Sequence, residues 1–139
     1  MNVFSNDNFL VLGSIASFLI ASFHVVIAIR PQIYSYFGAA ELTQLAERGS
    51  SFTIIVTLGL AVMFALWGLY GLSGAGVIRQ LPLLKVGLIT IGIIYIMRGL
   101  MLPFDLVKTL QHARPIYFIL LSAGSLVTGL FYLVGTWTK

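Results

Sequence analysis

The chain has 139 residues, 59% of them hydrophobic and 9% charged, with a mean hydropathy of +1.02, a net charge of +4 and no cysteine. A soluble domain carries about a quarter charged residues, so an ordinary water-soluble globule is excluded, and apolar runs that fill most of the length leave no room for a separate catalytic domain. Without cysteine there are no disulfides, thiolate metal sites or cysteine nucleophiles, and redox chemistry would need a bound cofactor, of which the sequence gives no sign.

The first apolar run covers residues 9–29. About twenty apolar residues in helical form cross a hydrocarbon layer about 30 Å thick. No positive charge precedes the run in Met1-Asn2-Val3-Phe4-Ser5-Asn6-Asp7, so it reads as a retained span and not a cleaved signal peptide. Residues 38–48 follow, with Leu42, Leu45 and Ala46 on one side and Glu41, Gln44 and Arg48 on another. This pattern predicts a short interfacial amphipathic helix, capped at its C-terminus by Gly49. The second run covers residues 52–72, and a glycine-rich turn with Gly74, Gly76 and Arg79 leads to the third, residues 83–102. Gly74-Ala75-Gly76 lacks the preceding strand and the third glycine of a dinucleotide fingerprint and has no weight as a nucleotide site. The fourth run covers residues 116–136.

Pro31, Pro82, Pro103 and Pro115 all fall between these runs, where proline marks helix starts and stops, so the spans are expected to be continuous. The expected fold is an all-α integral membrane protein: one domain over residues 1–139, an antiparallel bundle of four transmembrane helices with the interfacial helix between the first and second. Trp67, Tyr70, Tyr132 and Trp137 towards one boundary, and Tyr34, Tyr36, Tyr95 and Tyr117 towards the other, read as two aromatic belts.

Small residues recur at spacings of three and four in three of the runs: Gly13, Ser17 and Ala21 with His24, then Thr57, Ala61, Ala65 and Gly68, and last Ser122, Ser125 and Gly129 with Tyr132. Such ridges let helices approach closely and are read as packing seams, within one subunit or between copies. Arg79, Lys85 and Lys139 fall on one face of the membrane, and Arg30, Arg48, Lys108 and Arg114 on the other. This near balance leaves orientation to the longer, more acidic connections, which read as outward, placing both termini in the cytoplasm of a bacterial cell bounded by this inner membrane. The positive charge sits at helix ends, where it meets lipid headgroups, and forms no cluster suited to nucleic acid.

Arg98 is the sharpest feature, a cation about one turn inside the end of the third run. Burial there costs several kcal/mol, about 3 on insertion scales, unless a partner, water or the interface receives it. One resolution is snorkelling to the headgroups or pairing with Asp105. The other is a ligand pocket in which Arg98 joins His24, Tyr95, Asp105 and Glu41 or Glu47. A guanidinium fork suits phosphates and carboxylates, so the ligand class is a lipid headgroup or a small anion. His24 and His112 show no metal-ligand spacing, and no serine elbow, HExxH pattern or paired intramembrane carboxylates mark a catalytic site. The chain also lacks the first-helix glutamate of small multidrug exporters. The leading expectation is a non-enzymatic module that binds a partner protein, its own copies or a lipid or small anion near Arg98. An oligomeric channel or transporter, and a membrane enzyme acting on a lipid or quinone, are the alternatives.

Overall fold

The computed structural model describes residues 5–37, 40–137 and 139, the side chains of 37 and 40–42 excepted. Met1 to Phe4, and Gly38 and Ala39 at the start of the expected interfacial helix, lie outside the described residues. Among the described residues there are six α-helices, α1 (Asn6–Ile29), α2 (Ala40–Glu47), α3 (Phe52–Gly74), α4 (Leu84–Gly99), α5 (Leu102–Leu110) and α6 (Tyr117–Thr136), a 3₁₀ helix at Pro31–Phe37 and no strand. Four helical stretches, Asn6–Ile29, Phe52–Gly74, Leu84–Leu110 and Tyr117–Thr136, are long and apolar enough to cross a membrane.

The third stretch departs from the sequence reading, which ended the span at residue 102 and placed a connection after it. The helix breaks earlier, at Gly99, and resumes as α5 for a further 9 residues. Pro103 explains both changes. It has no N–H to donate to the carbonyl of Gly99, four residues back, and its ring crowds that oxygen, so α4 cannot continue. At the first turn of α5 the missing donor costs nothing, and proline starts the new helix.

Three helices end on the same device. Gly49, Gly76 and His112, at φ +80, +74 and +55, each sit just past a helix end in the left-handed conformation. In each case the N–H of the next residue reaches back across the last turn, from Ser50 to Leu45, Val77 to Leu72 and Ala113 to Lys108, at 2.9–3.1 Å. Glycine adopts this φ without strain, whereas His112 holds it with a Cβ.

The chain divides into two compact units, residues 1–16 with 67–139, and residues 17–66. In the first, the start of α1, the end of α3, the start of α4 and the end of α6 gather around Leu10, which is fully buried. Its side chain lies where a Cβ on Gly74 or Gly135 would stand, at 2.9 and 2.5 Å. Lys139 bonds Asp7 at 2.5 Å at this same end. α4 and α6 are held together along a glycine seam. A Cβ on Gly99 would lie 2.7 Å from Leu126 Cα, and one on Gly129 would lie 2.9 Å from the carbonyl oxygen of Gly92. Gly92 meets Gly129 and Leu133 while Gly99 meets Leu126, so these two helices pass with opposite chain directions. Trp67, Tyr95 and Tyr132 fill the middle of the unit. Tyr95 and Tyr132 stack at 5.9 Å, Trp67 meets Tyr95 edge-on at 5.2 Å, and the Tyr132 hydroxyl donates to the Trp67 carbonyl at 2.9 Å. Rings assigned to two boundary belts therefore form one internal cluster, because their apolar faces pack on each other and the Tyr132 hydroxyl finds a main-chain acceptor.

In the second unit the remainder of α1 carries the buried Ser17, Ala21, Ile27 and Ala28, and the early part of α3 carries the buried Thr53, Thr57 and Ala61. Tyr34, from the 3₁₀ helix, hydrogen-bonds the Thr57 hydroxyl. The Thr43 hydroxyl donates to the carbonyl of Pro31 at 3.1 Å, fastening α2 to that helix.

Buried polar residues are nearly as prominent as buried apolar ones. Ser14, Ser17, Thr53, Thr57, Ser73, Asp105, Ser122, Thr128 and Thr136 are all inside, while large apolar side chains such as Leu19, Ile55, Val62, Met97 and Leu120 are more than 60% exposed. Ser14, Thr57, Thr128 and Thr136 donate to the carbonyl four residues back in their own helices, which satisfies the hydroxyl without water.

Candidate functional site

At the end of α4 and the start of α6, the side chains of Arg98, Arg114 and Ser122 form a network around Asp105. Asp105 lies in the first half of α5, on the face turned to α6, and its side chain is 1% exposed. An isolated carboxylate could not be buried to this degree. Arg114, in the turn before α6, donates from Nη1 to Oδ1 at 2.7 Å. The hydroxyl of Ser122, on α6, donates to Oδ2. Arg98, in the last turn of α4, donates from Nη1 to the Ser122 Oγ at 2.8 Å, and the same nitrogen stands 3.9 Å from Oδ2. Ser122 thus passes the Arg98 contact on to the carboxylate while using its own proton on it.

The break at Pro103 makes this geometry possible. It starts α5 as a separate helix after α4, and the short connection through Ala113 and Pro115 leads into α6 with Arg114 bonded back to Asp105 of α5. Arg114 is further fixed by two rings, its guanidinium carbon lying 5.2 Å from the centre of Phe104 and 4.9 Å from that of Phe118. The Lys108 ammonium lies 5.6 Å from the same Phe104 ring. Two guanidiniums therefore flank one carboxylate, with the Lys108 ammonium beside the Phe104 ring. While Asp105 is sealed, the side chains of Arg98 and Arg114 are 43% and 37% exposed, so the positive excess reaches the surface.

The other residues named from the sequence lie elsewhere. Tyr95 is buried in the aromatic cluster with Trp67 and Tyr132. His24 belongs to the second unit. Its Nδ1 lies 2.8 Å from the Ile20 carbonyl, which can only accept, so Nδ1 carries the proton, and its ring packs 5.0 Å from Phe64. Glu47 is exposed at the end of α2, and the side chain of Glu41 lies outside the described residues. Of the small residues proposed for packing, Gly13, Ser17, Ala21, Thr57, Ala61, Gly68, Ser122 and Gly129 are buried, and Ala65 and Ser125 are half-buried. No group of three or more His, Cys, Asp or Glu is placed to hold a metal among the described residues.

Arg114 and Ser122 were not anticipated as partners of Asp105, nor Phe104 as a ring against Arg114. The readable signal was the pairing of Pro103 with Gly99 four residues earlier, which marks a second helix after the third run and brings Asp105 inward. No protein-family description, curated protein or solved structure gives a match to this chain.

Proposed function

We propose that this chain is a non-enzymatic, multi-pass membrane protein in which four helices form an antiparallel bundle, and that its Arg98 end is the contact site for an anionic group. The inverted distribution of polarity supports the membrane reading: hydroxyls and a carboxylate lie inside, and leucine, isoleucine and valine lie outside. Water would penalise that arrangement at about 25 cal/mol per Å² of exposed apolar surface, whereas lipid tails would not. The Lys139–Asp7 pair supports an even number of crossings, since it brings the two ends of the chain together.

Depth is consistent along two helices. Arg98 lies 14 residues beyond Leu84 in α4, and Ser122 lies 14 residues before Thr136 in α6. Each is about 21 Å from the end marked by Leu10 and Lys139, short of a hydrocarbon layer about 30 Å thick. The cluster would then sit just beneath the headgroups of the opposite face, with Arg98 and Arg114 reaching up to them. With four crossings, the first and third connections share that face, and we assign it to the outside of a bacterial inner membrane with both termini in the cytoplasm.

The observation that carries the contact-site reading is the sealed Asp105 carboxylate, which orients two exposed guanidiniums without neutralising both. Co-flotation of the purified chain with phosphatidylcholine vesicles, before and after alkaline washing, tests the membrane reading. The chain should stay with the vesicles through the wash, and release would contradict it. For the contact site, Arg98→Gln should impair the cellular role while Glu47→Gln leaves it intact.

A further inference from the structure

The geometry points to a phosphate-binding site formed by Arg98 and Arg114 around Asp105, with Lys108 at the Phe104 ring that also packs on Arg114, and with the phosphate of an anionic phospholipid headgroup as its ligand. This rests on the membrane reading above and names the chemistry of the contact site. Arg98 and Arg114 each spend one Nη1 donor on the network, while a guanidinium offers five N–H groups. The remaining donors belong to two forks anchored to one carboxylate, so they are neighbours and already ordered. Ordering matters because a free arginine loses rotamer entropy when it is fixed, and here Asp105, Phe104 and Phe118 already fix Arg114 while Ser122 holds Arg98.

Charge selects the ligand. Two guanidiniums against one buried carboxylate leave a positive excess, to which Lys108 at the Phe104 ring adds, so an anion is drawn in to complete the site. Tetrahedral oxygens on a phosphate accept from two forks at once, and α5 supplies the apolar surface on which acyl chains would rest, with Phe104, Val107 and Leu110 between 45% and 73% exposed. The same phosphate chemistry could come from a soluble phosphate, and the test separates the two.

The purified full chain in mild detergent is titrated with phosphatidylglycerol, phosphatidylcholine or inorganic phosphate at matched ionic strength, and the shift in thermal unfolding temperature gives apparent affinity. Phosphatidylglycerol is expected to bind about tenfold more tightly than phosphatidylcholine. Lys108→Gln, which leaves every hydrogen bond to Asp105 in place, should weaken it about fivefold, and Arg114→Gln about tenfold or more. Phosphatidylglycerol binding without a phosphate response supports the lipid source. Binding of inorganic phosphate that falls in Lys108→Gln supports the same site with a soluble ligand. Equal response to both lipids and none to phosphate, or an affinity unmoved by Lys108→Gln and Arg114→Gln, would overturn the proposal. A chain that floats with phosphatidylcholine vesicles yet fails this test loses only the phosphate site, whereas one that does not float loses the membrane reading beneath it.

Discussion

Replacing Gly99 by alanine tests the α4–α6 seam. The added Cβ would stand 2.7 Å from Leu126 Cα and Cβ and 2.8 Å from its backbone nitrogen, where ordinary contact begins at 3.4 Å. Main chain cannot swing aside as a flexible side chain does, so the helices must separate locally by about 0.7 Å, the difference between those distances. A gap of that size forfeits roughly a quarter to a half of the dispersion energy of each contact it opens. Because Gly92, Gly129 and Leu133 lie on the same seam, the loss spreads beyond residue 99, and overpacking of this kind costs about 1–3 kcal/mol. Gly124 and Gly59 are matched controls. A Cβ on either meets nothing within 4 Å, and both lie inside helices, so alanine there should be neutral or stabilising by about 0.5–1 kcal/mol. Equilibrium unfolding in mixed micelles of mild detergent and dodecyl sulfate, followed by the fluorescence of Trp67 against Tyr95, reads all three. If Gly99→Ala matches Gly124→Ala, the close approach of α4 and α6 is refuted.

Asp105→Asn should destabilise the protein by roughly 3 kcal/mol, because it leaves two guanidiniums around an uncharged, sealed group, and the same unfolding assay should show Arg98→Gln costing less, since its side chain is 43% exposed. His112→Gly should stabilise by about 1 kcal/mol by releasing the positive φ at the end of α5, with a higher unfolding temperature as the readout. Tyr132→Phe keeps the stack on Tyr95 and loses only the bond to the Trp67 carbonyl, so a loss of about 1 kcal/mol and a changed tryptophan emission are expected.

The four long helices were legible because a run of twenty apolar residues has few other solutions. Their ends were legible where a specific cap exists, as at Gly49, whose left-handed φ closes α2. α5 was not, because Pro103 was read as the end of a helix when it both ends α4 and begins the next. The glycine seam on α4 was also missed: Gly92 and Gly99 are seven residues apart, two turns on one face, but the third run was read for its charge and not for its packing. Tyr95 and Tyr132 were assigned to opposite boundaries from their positions in the chain, whereas side-chain packing brings their rings to 5.9 Å. Asp105 and Arg98 could be paired from sequence by proximity alone, but Arg114 and Ser122 reach the carboxylate only through the return of the chain into α6, which no local pattern encodes.

Four crossings of a bilayer are tested most directly by labelling single cysteines with an impermeant maleimide in sealed vesicles, for the chain has no cysteine of its own to blur the result. Val77→Cys, in the turn after α3, and Gln111→Cys, at the end of α5, should react from opposite sides. Ile94→Cys, 42% exposed in the middle of α4, should stay unlabelled until detergent is added. Labelling of Val77→Cys and Gln111→Cys from the same side, or ready labelling of Ile94→Cys in intact vesicles, would contradict a chain that spans the membrane four times.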